Sequence, residues 1–180
     1  MNVPSYTTER FSFGPGILYL GPAGTTPTID VGAVASGATL TLGKTVLEVR
    51  QGSPAILVKQ FIQQEDVTLA VSGLEWNLIN LALAMGVGTT SSSATEETLA
   101  LGGDVTIKNC AVKFVHQTPA GGTVNIYIWS ASDTAEKTIT FGDDPHNFPL
   151  ELRGLHTTTD WAGNTLPAGQ NLVKLVYEKP

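Results

Sequence analysis

The sequence predicts a mainly β protein, an antiparallel β-sandwich or barrel with one flanking α-helix over about residues 73–85 and long loops. Three observations predict it. Short stretches of alternating apolar and polar residues recur along most of the chain, as in Val124, Ile126 and Ile128 against Asn125, Tyr127 and Trp129. Gly- and Pro-rich turn signals separate them, as at Gln51-Gly52-Ser53-Pro54 and Ala120-Gly121-Gly122. One segment only, Leu74 to Met85, carries apolar residues at helical spacing.

Taken in order, Gly16 to Leu20 reads as a short strand, and Gly21 to Ala38 as a loop punctuated by Pro22, Gly24, Pro27, Gly32 and Gly37. Thr39 to Arg50 and Ala55 to Gln63 form the arms of a long hairpin, with Gly43 marking a bulge where the apolar phase changes. Asp66 to Val71 is a separate strand with Val67, Leu69 and Val71 on one face.

The helix follows. Ser72 and Glu75 stand at capping-box spacing and Gly86 at the expected stop. Leu74, Leu78, Leu81, Ala82 and Met85 share one face, while Trp76, Ile79 and Leu83 repeat on a neighbouring stripe, leaving Glu75, Asn77 and Asn80 as the polar positions. That arc is wider than the ~100° stripe of a surface helix. Two readings follow: a loop of the same chain covers the second stripe, or a neighbouring subunit does.

Val87 to Gly103 reads as a loop with a Ser/Thr run. Asp104 to His116 changes phase near Asn109 to Ala111, which predicts a bulged strand. Further strands are expected at Thr123 to Ser130, Lys137 to Phe141, His146 to Arg153 and Gln170 to Glu178, with a loop over Leu155 to Gly169. Pro149 lacks an N–H and favours an edge position.

Length and charge bound the function. A chain of 180 residues suits one domain over 1–180. Its size allows about 70% of the unfolded surface to be buried without staples. A single cysteine, Cys110, excludes an intrachain disulfide and a four-cysteine zinc site, and its apolar strand predicts a buried, inert thiol. Net charge is −6, and the 10 Lys and Arg are scattered, so specific binding to nucleic-acid phosphates or anionic membranes is not expected. The longest apolar stretch, Leu78 to Val87, is too short for the ~20 residues of a membrane span. No basic, apolar leader opens the chain.

Chemistry is sparse. There is no G-x-S-x-G, H-E-x-x-H or phosphate loop, so no enzyme activity, catalytic residue or cofactor is expected. Asp143, Asp144 and His146 are permissible metal ligands, but a polar turn before Pro145 explains them better and no metal is expected. Tyr127 and Trp129 share one strand face, which is either a second core layer or an interface.

The order of elements carries a resemblance. Phe13-Gly14-Pro15-Gly16-Ile17-Leu18-Tyr19-Leu20-Gly21-Pro22 opens it, then Ile29-Asp30-Val31-Gly32-Ala33 and a long hairpin. Val67 to Glu75 then leads into the Asn77-Leu78 helix ending at Gly86, and Phe148 to Leu155 follows late in the chain. Together these resemble the tail tube (major tail) proteins of long-tailed bacteriophages. The resemblance implies a non-enzymatic virion protein of the tail, assembled in the host cytoplasm. It implies hexameric rings stacked into a tube around the tape measure protein, through which DNA passes without specific binding. It implies that the hairpin near Thr39 to Gln63 helps line an inner barrel, with Glu48, Arg50 and Lys59 as candidates for the lumen, and that the helix lies near neighbouring subunits. Trp76, Ile79 and Leu83 are then the candidate interface residues. The loops Gly21 to Ala38 and Val87 to Gly103 are expected to make contacts between rings or subunits. Two other readings stand beside it: another tail or virion protein, such as a terminator or decoration protein, or a carbohydrate-binding sandwich.

Overall fold

The structure, a computed structural model, describes residues 16–32, 34–73, 77–134, 136–137 and 148–180. It is mainly β, with all paired strands antiparallel and one helix among the described residues. Strands β1 (Ile17–Pro22), β2 (Ile29–Asp30), β3 (Val34–Gln51), β4 (Ile56–Gly73), β7 (Cys110–Gln117), β8 (Thr123–Asp133) and β9 (Phe148–Gly154) form a sheet of order β2-β1-β7-β8-β9-β4-β3. The last strand, β10 (Val173–Glu178), pairs with the first half of β8. A separate hairpin, β5 (Thr89–Ser92) and β6 (Glu97–Ala100), follows the helix α1 (Leu78–Met85).

Strand alternation explains the core. Leu18 and Leu20 of β1, Val112 and Phe114 of β7, and Ile126 and Ile128 of β8 are inward residues of one wing. Leu150 and Leu152 of β9 with Val67, Leu69 and Val71 of β4 are those of the other, and all belong to one buried cluster. The long strand β8 joins the wings: Thr123–Ile128 lies between β7 and β10, and Ala131–Asp133 pairs with β9. Each core leucine or isoleucine contributes roughly 1.5–3 kcal/mol by leaving water.

Several expectations change at the level of elements. The hairpin and the strand after it are continuous: β3 and β4 are 18 residues each. Gly43 stays in register with Asp66, and toward the tip from there the irregularities fall between Thr45 and Val46 and between Val49 and Arg50. There the partner strand carries an extra residue, Gln63 and Val58 respectively. The bulge near Ala111 is present, between Cys110 and Val112, but residues 104–109 are not strand. The segments Gly21 to Ala38 and Val87 to Gly103 are not plain loops, since they hold β2, the start of β3 and the β5–β6 hairpin. Strand β9 is internal rather than at the edge. Pro149 opposes Ser72 of β4 and lies beyond the residues that β8 pairs, so its missing N–H breaks no bond on that side.

The helix starts later than about residue 73. Ser72 and Gly73 complete β4, and Asn77 is the N-cap, its side chain accepting the Asn80 N–H at 2.9 Å. Gly86 ends it in the left-handed conformation at φ 66°, as expected. Leu74, Glu75 and Trp76 lie outside the described residues, as do most of the strand expected at Lys137 to Phe141 and the turn with Asp143, Asp144 and His146. The residues α1 buries are Asn80, Leu81 and Ala84. Asn80, one of the polar positions of the helix, turns inward and donates from Nδ2 to the Asp30 carbonyl at 3.1 Å.

Candidate functional site

The most unusual feature is a protruding two-stranded ribbon. Strand β9 pairs with β4 only from Thr68 to Gly73, so among the described residues β4 has no second neighbour between Ile56 and Val67. Strand β3 ends the sheet and its outer edge is unpaired among the described residues. From Thr41 to Glu65 every residue is exposed except the half-buried Val46. The N–H and C=O groups along these edges, unpaired among the described residues, make this a template for another strand. A two-stranded hairpin is marginal alone in water, and this one exposes Leu42, Leu47, Val49, Ile56, Leu57, Val58, Phe61 and Ile62.

Pairing register sorts the ribbon's faces. Glu48 opposes Gln60, and Val49 opposes Lys59. Neighbours on a strand point to opposite faces. Glu48, Arg50 and Gln60 therefore share one face, where the Glu48 carboxylate accepts from Arg50 Nη2 at 2.7 Å and Gln60 Nε2 at 3.2 Å. Lys59 lies on the other face with Leu47, Val49 and Phe61, its ammonium 4.7 Å from the Phe61 ring centre. The three charged candidates thus divide: Glu48 and Arg50 are one unit, and Lys59 belongs to an apolar surface. Nearer the sheet, this second face is polar, with Thr41, Thr45, Gln64, Asp66 and Thr68. Arg153 of β9 joins it, binding Asp66 at 2.6 Å and holding that carboxyl below its ordinary pKa.

A groove of about 320 Å³ lies at the opposite end of the sheet. Pro22 of β1, Ile29 of β2 and Ile79, Ala82 and Leu83 of α1 line it, with Val87, Thr90 and Lys108 at its margin. Ile79 and Leu83 are both half-buried, and Leu83 also packs against the core. After the β5–β6 hairpin the chain also exposes Leu101, Val105 and Ile107.

A larger cleft of about 700 Å³ opens where the ribbon leaves the sheet, between Leu42, Lys44, Glu65 and Val67 on one wall and His156, Asn171, Leu172 and Val173 on the other. It continues the inward face of β4 past the last packed core residue, Val67. Among the described residues no group of three or more His, Cys, Asp and Glu is placed to hold a metal ion.

On the outward face of β8, Tyr127, Trp129 and Trp161 stack as a second layer, with ring centres 4.9–5.9 Å apart. Both indole N–H groups are committed: Trp129 donates to the Gln170 carbonyl at 2.8 Å and Trp161 to the Trp129 carbonyl at 3.3 Å. These rings pack on one another beneath the 155–170 segment, which is the core-layer alternative for Tyr127 and Trp129.

Ile79 and Leu83 line the groove beside α1, and sequence reasoning placed the hairpin. It missed the ribbon's length and two-sidedness, and it missed Asn80. The signal for the ribbon was present in the extended, β-type run from Leu40 to Arg50, but its change of apolar phase, with Gly43 and Gln64-Glu65, read as interruptions. Among the described residues no helix is long and apolar enough to cross a membrane. The chain matches no model of a known protein family, and no curated protein matches it in sequence.

Proposed function

We propose that the chain is a self-assembling structural subunit of a phage tail tube, forming hexameric rings that stack around the tape measure protein and conduct DNA. The observation that carries this reading is the ribbon: an 18-residue edge strand, open along its length, on a ribbon whose apolar side chains face water in the single chain. Such a surface is stable when another copy covers it, and a closed ring pairs every edge with the next subunit. The composition supports the same reading. A chain at −6 gives the assembled wall an acidic balance, so phosphates are repelled and DNA slides rather than sticks. The Thr- and Gln-bearing root of the ribbon offers a polar wall of low charge for that passage.

Negative-stain microscopy of the concentrated protein tests the reading. Open-ended tubes of stacked rings are expected. Isolated rings that never stack would favour a terminator-like role, and a persistent monomer at high concentration would overturn self-assembly altogether.

A further inference from the structure

The sheet forks on β8. The edge of β8 opposite β7 is shared by two strands, β10 along Thr123–Ile128 and β9 along Ala131–Asp133. Strand β9 stands between β8 and β4, but β4 runs on past the end of β9 as one strand of the ribbon. Beyond the fork β10 therefore holds the place beside β8 that β9 holds before it. The ribbon and β10 face each other across the 700 Å³ cleft, with Glu65 and Val67 on one wall and Leu172 and Val173 on the other. We propose that this fork is a closing joint: the ribbon swings about its root until β4 pairs with the outer edge of β10, which completes the sheet within one chain.

Strand direction selects β10 as the partner. Both β9 and β10 run antiparallel to β8, and β4 runs antiparallel to β9. Strands β4 and β10 are thus antiparallel to each other, like every other pair in the sheet. A single strand entering from elsewhere would lie parallel to one of the two edges. It would also lack room at the root, where β10 is one place from β8 and β4 is two, so that their straight continuations are neighbours at the ~4.8 Å spacing of paired strands.

Register brings matching residues together. Gly154 stands at the fork, where a Cβ would meet Ile128 Cγ2 at 3.3 Å and Val67 Cβ at 3.4 Å. It pairs with Ala131 and follows Arg153, the partner of Thr68. Counted from there along both arms, with the bulge of β8 opposite Cys110–Val112 and that of β4 at Gln63, Val173 comes level with Glu65 and Leu175 with Ile62. Leu175 opposes the inward Ile126, and Ile62 opposes Val46, which alternates with the inward Leu40 and Leu42. Both therefore point to the core side of the sheet, yet they are 49% and 60% exposed. Closure sets them side by side and gives the two-stranded ribbon the third strand it needs for stability. The Arg153–Asp66 pair at 2.6 Å ties the root to β9, so the swing falls beyond it, at the Gln63 bulge. The outer edge of β3 stays open for a neighbour. Closure belongs to the single chain and stands apart from the assembly reading above.

A pair of cysteines within one chain tests the joint. Ile62→Cys with Leu175→Cys should form an intramolecular disulfide under mild oxidation in dilute protein, at least tenfold faster than Phe61→Cys with Leu175→Cys, whose ribbon cysteine faces the other way. Cys110 is buried and stays silent. Without any cysteine, the β10 amides that do not bond β8 should exchange hydrogen at least tenfold more slowly than free peptide. Ile62→Asp should remove that protection and leave the melting of the chain unchanged. Equal oxidation rates for the two pairs, free exchange along β10, or a link and protection that appear only as concentration rises would each overturn closure, the last by assigning the edge to a second copy. Closure seen in a chain that never assembles would keep this inference and remove the tube.

Discussion

The ammonium of Lys137 lies 2.5 Å from the carboxylate of Asp133, and both side chains are buried. Lys137 also donates to the Pro149 carbonyl, and Asp133 accepts the Glu151 N–H at 3.3 Å. The pair thus clips the end of β8 to the start of β9, where the two wings of the sheet meet. Breaking a buried pair from one side leaves an uncompensated charge, which costs about 3–5 kcal/mol. Lys137→Met should lower stability by that order in urea unfolding. The double variant with Asp133→Leu should recover much of the loss. Equal destabilisation by the single and double variants would show that packing, rather than charge, sets the cost.

Gly86 and Lys108 form the second lock. Gly86 donates to the Ala82 carbonyl at 2.9 Å to close α1, and its own carbonyl accepts the Lys108 N–H at 2.8 Å. Its φ of 66° costs an L-residue ~1 kcal/mol. A Cβ placed there would stand 2.0 Å from the Lys108 carbonyl oxygen. Gly86→Ala should therefore destabilise by about 2–4 kcal/mol, more than the conformational term alone. Thermal melting checks it, and a loss below ~1 kcal/mol would mean that the 105–109 segment moves aside freely.

The same region shows what the sequence carried and what it hid. Gly86 was legible because a helix stop needs a residue at positive φ and glycine marks it. The N-terminus was misread because two signals competed. Ser72 and Glu75 match a capping box, yet Ser72 is held in β4 by pairing opposite Pro149, a contact distant in sequence. Asn77 then caps the shorter helix. The core was legible wherever alternation was strict, as in β8 and β9. The ribbon was not, because its apolar residues change face between Val46 and Leu47 and its burial is absent, and pattern alone does not say whether an apolar face finds a partner within its own chain. The second apolar stripe of the helix, with Ile79 and Leu83, was legible from the width of the apolar arc. Their groove was not, because Pro22 and Ile29 reach it from β1 and β2.

Cys110 should be chemically silent in the folded protein. It is fully buried, and desolvation, followed by the negative charge of Asp133, pushes its thiol up to about 12. The thiolate is the reactive form. At pH 8 a thiol reagent such as iodoacetamide should label it only as fast as the chain opens, and complete labelling should require denaturant. Labelling within minutes in native buffer would show that β7 frays at its bulge.

Asp160 makes the 157–166 loop sensitive to acid. Its carboxylate accepts the N–H groups of Ala162 at 2.9 Å and Asn164 at 2.8 Å, and the Asn164 side chain at 3.0 Å. The bonds from Asn164 are the largest cause holding its pKa below the ordinary 3.8. The sign follows from that direction. The folded form holds its proton less tightly than the unfolded one, so the loop's stabilisation is fully present above ~4 and is lost as pH falls through the lowered folded value. Trp161 sits next to the carboxylate and packs on Trp129 with ring centres 4.9 Å apart, so its fluorescence reports the loop. Between pH 5 and pH 2 the emission should shift with a midpoint below 3.8. Asp160→Asn should abolish that transition and leave the melting of the sheet at pH 7 nearly unchanged. A midpoint at or above the ordinary carboxylate value would mean that the three bonds do not favour the ionised form.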